Sequence, residues 1–470
     1  MKKGIFFFVI LGFGVCSWLI ISSCGHKQLA KGYSETLLNY DYVGDFNNGL
    51  ALVERLGQWG FINEDGEEVI PCEYEMAGPF SSGRAYVLPF DDDKYHYIDE
   101  NGNVTLTTDY EYVRSFTGNA APVSHGQNWA LIDKDGKELT DFIYTSFTPY
   151  TYKGKNIFVV QNEENRYGIL DDKGRTILPC NYIWMGSFDK GLAALWNGNE
   201  NRHTTGMVNM QGQIVVPFLY DNIDLCTENV ARVEQNSKYG YVNVQGSVLA
   251  PCVYTLADNF FHDGRASVYR GAEDNLRQGF INSQGVEVIP CQYEPPYVYG
   301  EGGGPLLSSF SEGFAKVAKD GHFGFIDTKG KKLTPLDYDD ARDFHRGIAA
   351  VMKDDKWGFI DTRGHEIIPC HYDNVSYESI NRLKVTLDDR VLFFDKTGKP
   401  LVDEHYLPYD FVGEPIEELT EVIRNQRVGY VDEDGVEVIP CQYDQITPFH
   451  NGTAVGNDRG KYYLIKKEKV

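Results

Sequence analysis

Short apolar runs of four to six residues alternate with polar, glycine-bearing turns along most of the chain. Leu50-Ala51-Leu52-Val53 reads as one strand, Trp59-Gly60-Phe61-Ile62 as its antiparallel partner, and Val69-Ile70-Pro71-Cys72 as a third. Runs of this length, rich in β-branched and aromatic residues, predict a half-buried sheet rather than a helix. Turns such as Asn63-Glu64-Asp65-Gly66 and Asp432-Glu433-Asp434-Gly435 end in glycine, which tolerates the positive φ that the last turn residue requires. Pro71 cannot donate to a ladder, so the third strand is expected at an edge or at a bulge.

The same phrase then returns down the chain. Its turn glycines are Gly66, Gly102, Gly136, Gly174, Gly212, Gly246, Gly285, Gly330, Gly364, Gly398 and Gly435, spaced by 34 to 45 residues. Asp or Asn stands two or three positions before them, as at Asp99, Asn209 and Asp395. A second phrase, Phe-x-x-Gly-x-Ala-x-Val, runs from Phe46 to Val53, Phe310 to Val317 and Phe344 to Val351. A self-similar period in the thirties identifies a repeat array. One unit is too small for its own core, so units must fold by stacking on neighbours. The Tyr-Asp pairs at Tyr338-Asp339, Tyr372-Asp373 and Tyr443-Asp444 are expected to anchor each crossing to the next unit. Residues repeated eleven times read as scaffold rather than chemistry, and no enzyme is expected.

The phrases Trp59-Gly60-Phe61-Ile62-Asn63 and Trp357-Gly358-Phe359-Ile360-Asp361 resemble the WG-repeat family, bacterial proteins of tandem Trp-Gly-(Phe/Tyr)-Ile-Asp units. Tyr167, Tyr239 and Phe323 stand for the Trp in other copies, and Trp129-Ala130 inverts the pattern. The resemblance runs from about Phe46 to the C-terminus and implies no single shared activity. The expected fold is all-β, a tandem array of about eleven short antiparallel hairpin or meander units. An open superhelical array is the expected form, because a single propeller holds about 4–8 blades. Propeller-like closure is the alternative: Tyr40 to Val43 looks like the tail of a unit and Phe449 to Ile465 like the head of one. These ends either pair to complete a twelfth unit or form two caps.

The N-terminus carries an address. Lys2 and Lys3 precede an apolar run from Ile5 to Ile21, followed by Ser22-Ser23-Cys24-Gly25. This order describes a secretory signal over residues 1–23, and its end resembles a bacterial lipobox, which implies lipidation of Cys24. A plain transmembrane anchor is the competing reading. Two or three acyl chains would hold the protein on a membrane, residues 24–39 forming a polar tether and 40–470 the array. Gly25 after the cysteine resembles the pattern of outer-membrane sorting. The partners expected are thus the membrane, through the lipid, and proteins of the envelope.

Charge and cysteine content narrow the picture. A net charge of −24 argues against nucleic acid and keeps a long β-array soluble. Six cysteines (Cys72, Cys180, Cys252, Cys291, Cys370, Cys441) share one repeat position, replaced by Phe218 and Leu336 in two copies. An apolar substitute points to buried free thiols rather than disulfides or metal ligands. Asp133-Lys134-Asp135-Gly136 lacks the later ligands of a calcium loop, and His365 and His371 lack zinc-pair spacing. No cofactor, metal or catalytic residue is expected. The insertion from Glu294 to Ser309, with Tyr297, Tyr299 and Gly302-Gly303-Gly304, is the expected ligand-facing loop. The functional expectation is a non-enzymatic, lipid-anchored scaffold for protein–protein interaction at the bacterial cell envelope. A surface glycan-binding lipoprotein using exposed aromatic residues is the alternative.

Overall fold

The computed structural model of the chain describes residues 28–199, 202–225, 229–259, 261–272, 275–295, 309–379, 382–388, 390–401, 409, 411–416, 419–432, 435–449 and 452–468. Each complete unit is an antiparallel meander of four strands. In one of them Asn222–Leu225, Val230–Gln235, Lys238–Asn243 and Val248–Tyr254 pair in chain order. Asn236 and Ser237 make the turn between the second and third strands, both with positive φ (52° and 57°), which suits the right-handed twist of the strands. Asp221 fastens that turn by accepting the Asn236 N–H at 2.7 Å. Asp339 and Asp373, each following a repeat Tyr, do the same for Asp354 and Asp388 one unit onward. The expected anchor at Tyr-Asp is therefore a carboxylate on the next unit's hairpin. At the glycine turn, Asn243 Oδ1 accepts the N–H groups of Gln245 (3.0 Å) and Ser247 (2.8 Å), while Gly246 takes φ +83°.

The proline lies in a bulge, as its missing N–H requires. Tyr239 pairs with Tyr254 and Tyr241 with Ala250, so Gly240 alone faces Pro251, Cys252 and Val253. A Cβ on Gly240 would sit 2.6 Å from the Ala250 oxygen and 2.8 Å from the Cys252 nitrogen. The glycine of Trp-Gly is thus dictated by the bulge packed against it. Gly60, Gly279 and Gly358 meet the same backbone atoms in their units. Where proline is absent five residues after the turn glycine (Thr107, Asp141, Asp403), the Trp-Gly glycine is absent too, and His96, Ala130 and Leu392 stand there.

Cores form between units. Ala51, Val53 and Ile62 pack one way, against Val455 and Leu464, whereas Leu50, Phe61 and Ile70 pack the other way, against Phe80, Val87 and Ile98. The half-buried sheet expected from alternation is corrected here: neighbours on both sides bury both faces, which explains the consecutive apolar pair Phe61-Ile62. Where a ring follows the Trp-Gly glycine it meets an aromatic ring of the next unit edge-on, as in Phe61–Phe80 (4.8 Å), Phe280–Phe310 (4.9 Å), Phe325–Phe344 (4.9 Å) and Phe359–Tyr377 (5.5 Å). Such pairs add about 0.5–1.5 kcal/mol each beyond area burial.

Among the described residues the strands form ten sheets, all open meanders and none a barrel. Two of the ten are seven-stranded, each fusing two units through one long strand, Glu68–Ala77 or Tyr144–Tyr152, so the described strands make up twelve units. The twelfth is made from both chain ends. Tyr33–Leu38 pairs antiparallel with Lys461–Lys467, from Tyr33 opposite Lys467 to Leu38 opposite Tyr462, and supplies the fourth strand of the last sheet. Eleven turn glycines accompany twelve units because the twelfth turn is where the chain ends part. The ends therefore complete a unit rather than act as separate caps, and the sheets of the expected tandem array stay open, none closing into a barrel among the described residues. Lys466 Nζ reaches Asp65 Oδ1 at 2.6 Å, and Leu38 shares a core with Val43 and Leu464. The tether expected over residues 24–39 is corrected accordingly: its second half is a strand, held by ladder hydrogen bonds that its polar composition concealed.

Candidate functional site

The sequence-expected site residues Cys24, Tyr297 and Tyr299 lie outside the described residues, as do the signal segment and Cys226. The acidic turns are occupied internally. Asp133 Oδ1 accepts the N–H groups of Asp135 (3.0 Å) and Lys137 (2.9 Å), leaving that carboxylate committed to its turn. Among the described residues no three His, Cys, Asp or Glu side chains converge as a metal site.

The repeat cysteines are free and lie buried or half-buried in the bulges. Several of their thiols point at backbone carbonyls, Cys370 at Val351 (3.6 Å), Cys441 at Val422 (3.6 Å) and Cys291 at Val268 (3.7 Å), while that of Cys72 points at the Glu68 carboxylate (4.0 Å). Burial, reinforced by the neighbouring carboxylates Glu68 and Glu287, pushes the Cys72 and Cys291 thiols up to about 11. Burial and Glu366 push Cys370 up to about 12. Thiols held this far above neutrality are packing groups rather than nucleophiles.

Many of the repeat's aromatic rings are also engaged. Arg114 lies 4.5 Å over Trp129 and donates to the Phe147 oxygen in the next unit at 2.9 Å. Arg342 lies 4.7 Å over Trp357 and donates to Val375 at 3.0 Å. Arg232 over Tyr239 and Lys316 over Phe323 repeat the device, reaching the oxygens of Ala257 and Ala341. In these four units the ring at the Trp position is therefore a platform for a cation that ties two units together, a role the sequence pattern alone did not signal.

Variation is concentrated outside. The residue between Cys (or Phe) and Tyr in the bulge phrase is Glu73, Asn181, Leu219, Val253, Gln292, His371 or Gln442 in successive proline-bearing units, and all of these side chains but the half-buried Gln442 are exposed. Leu219 keeps 58% of its surface open and Val253 41%. A concavity also forms where the last units meet the first, with a volume of about 470 Å³, lined by Tyr42, Tyr462, Gln445, Asn457 and Glu421. Tyr42 stands edge-on to Trp59 at 5.6 Å and to Tyr462 at 6.5 Å.

A family model described as "WG containing repeat" matches at residues 38–57, 59–92, 97–129, 129–164, 167–195, 206–239, 239–271, 279–294, 323–357, 357–388 and 429–462. No curated protein matches the chain. Among solved structures, the chain is similar to the tricorn protease at 11% identity and a TM-score of 0.25, covering 88% of this chain and spanning 56% of that one. It is similar to PorZ, a bacterial surface component of the type-IX secretion system of Porphyromonas gingivalis, at 8% identity and a TM-score of 0.21, covering 93% and 87%. It is also similar to the extracellular domain of BT4673 from B. thetaiotaomicron, at 7% identity and a TM-score of 0.22, covering 91% and 75%.

Proposed function

Because the chain belongs to the WG-repeat family, matched over more than half its length, we propose that it is a non-enzymatic scaffold for protein–protein interaction, held at the bacterial cell envelope by a lipid on Cys24. One observation carries this reading: the units repeat their interior and differ on their exterior. Glycine, bulge, thiol and ring recur in place, while the exposed bulge position changes among acidic, amide, aliphatic and imidazole side chains. Such an array holds unlike side chains at fixed intervals, and several weak contacts on neighbouring units act together as one multivalent site. The decisive experiment is crosslinking of the intact protein on living cells, followed by mass spectrometry of what is captured. One defined envelope complex, crosslinked through the exposed bulge positions, is the expected result. Recovery of bulk membrane proteins alone would count against the scaffold. Growth with labelled palmitate, comparing parent and Cys24→Ala, tests the anchor: label retained by the variant would remove it.

The concavity between the chain ends supports the second reading, glycan binding. Tyr42 and Tyr462 offer ring faces or edges beside the amides of Gln445 and Asn457, a combination suited to sugar faces and hydroxyls. Glycan-array screening of parent and Tyr462→Ala tests it. A hit that survives the substitution would place the glycan elsewhere.

A further inference from the structure

A cavity of about 310 Å³ opens where three consecutive units meet, lined by Lys153, Lys155, Lys190, Tyr152, Gln211 and Asn229, with Leu192 and Met210 buried at its floor. Lys155 begins the strand Lys155–Asn162, and Lys190 sits in the turn before Leu192–Asn199. Tyr152 packs on the backbone of Gly191, where a Cβ would come within 2.7 Å of the ring. Among the described residues no Asp or Glu lines this cavity.

Lys153 and Lys155 also line a neighbouring open cavity of about 600 Å³, which adds Lys173 and Arg175. Asp171 and Asp172 line that cavity too and are engaged by groups beside them. Asp171 accepts the N–H groups of Lys173 (3.0 Å) and Arg175 (2.8 Å) and the Arg175 Nε (2.7 Å). Asp172 faces the side-chain amide of Asn156 at 3.5 Å. Among the described residues, Lys153, Lys155, Lys173 and Lys190 form no ion pair with a protein carboxylate. This stands out on a chain whose net charge is −24.

Like charges gathered in a concavity repel one another and focus a positive potential into it. The group that relieves this is an anion. Lysine ammonium groups suit the oxygens of phosphate or carboxylate. The two amides supply donors and acceptors for hydroxyls, and the apolar floor with the Tyr152 ring suits the face of a sugar. The volume lies at the small end of ligand sites, about 300–1,000 Å³. We propose that this cavity binds an anionic saccharide, a sugar ring bearing phosphate or carboxylate, with Lys155 and Lys190 on its charged group. The site stands apart from the scaffold reading and does not depend on a protein partner being found.

Calorimetric titration of the full mature chain tests it, with glucose 6-phosphate and glucuronate as probes and glucose and inorganic phosphate as references. At least one charged sugar should bind with one-to-one stoichiometry, about tenfold more tightly than either reference, and weaken as salt rises from about 0.05 to 0.3 M. Lys155→Gln/Lys190→Gln should weaken it by about tenfold or more with an unchanged melting temperature. If that double variant melts lower, Lys190→Gln alone, at an exposed turn, carries the same expectation of a measurable loss. The proposal is overturned if neither sugar binds, if inorganic phosphate binds as well as both, or if the variants bind as the parent does.

Discussion

Gly240 shows how one residue's identity is fixed by atoms far along the chain. Its Cα lies against the bulge at Pro251-Cys252, so any side chain would press on backbone rather than on a movable neighbour. Gly240→Ala should cost about 1–3 kcal/mol by overpacking. Ala130→Gly, in a unit without the proline, should cost about 0.5–1 kcal/mol from backbone freedom, plus the loss of its buried methyl, with no clash against the facing strand. Denaturation midpoints of the two variants compare them directly, and a Gly240→Ala protein as stable as its parent would contradict the bulge argument. The thiols in these bulges give a second expectation. With Cys226 replaced by Ser, the native array at pH 8 should react slowly with Ellman's reagent, since burial keeps Cys72, Cys291 and Cys370 protonated, and rapidly once unfolded. Fast native reaction of several equivalents would refute it. The sequence displayed both glycine and proline as motif letters. Their dependence on each other became visible only when the third and fourth strands were laid side by side, because nothing local to Gly240 demands glycine.

At the scale of the hairpin, carboxylates do the work of turn formation, and they make the array sensitive to acid. The side-chain amide and backbone N–H of Asn103 hold Asp99 below the usual carboxylate range. The Lys356 ammonium and the Asp388 N–H do so for Asp373. Because the folded values lie below the unfolded ones, the stabilisation is complete above the ordinary carboxylate range, about pH 4, and is lost as pH falls through the lower folded values. Melting temperature should therefore decline below about pH 4, and a flat profile down to about pH 2.5 would exclude this account. Asp221→Ala should cost about 1 kcal/mol and speed hydrogen exchange at Asn236, whose N–H it accepts. The glycine turns were legible because Asx and Gly recur at fixed offsets. The Asp-to-hairpin bond was legible only as an anchor of unknown target, since its acceptor and donor belong to different units. Burial on both faces escaped the alternating pattern for the same reason: the second covering layer comes from another repeat.

The whole molecule is organised by the meeting of its ends. Family and all-β class could be read directly from the repeats, and a unit completed by both ends only as a possibility and with another segment. The pattern places Tyr40 to Val43 in it, whereas Tyr33–Leu38 pairs with Lys461–Lys467 and Val43 pairs with Val53 in the first unit, because a short polar strand without the repeat phrase looks like a linker. The candidate cavities were not legible at all, since each draws side chains from successive or sequence-distant units. Deleting residues 28–38 should leave the last sheet with an unpaired edge along Lys461–Lys467, lower the melting temperature and open Leu464 and Val455 to solvent. Limited proteolysis should then cut first near the C-terminus, and a deletion protein as resistant as the parent would deny the strand its structural role. The same pairing sets an order in time. The strand that emerges first from synthesis finds its partner last, across a separation of more than 400 residues, so the costliest loop closes only when all other units are in place. A chain truncated anywhere before Lys461 can stack its units but never satisfy its first strand. Such a fragment would expose an open edge along Tyr33–Leu38 to proteases, whereas in the full array that edge is covered.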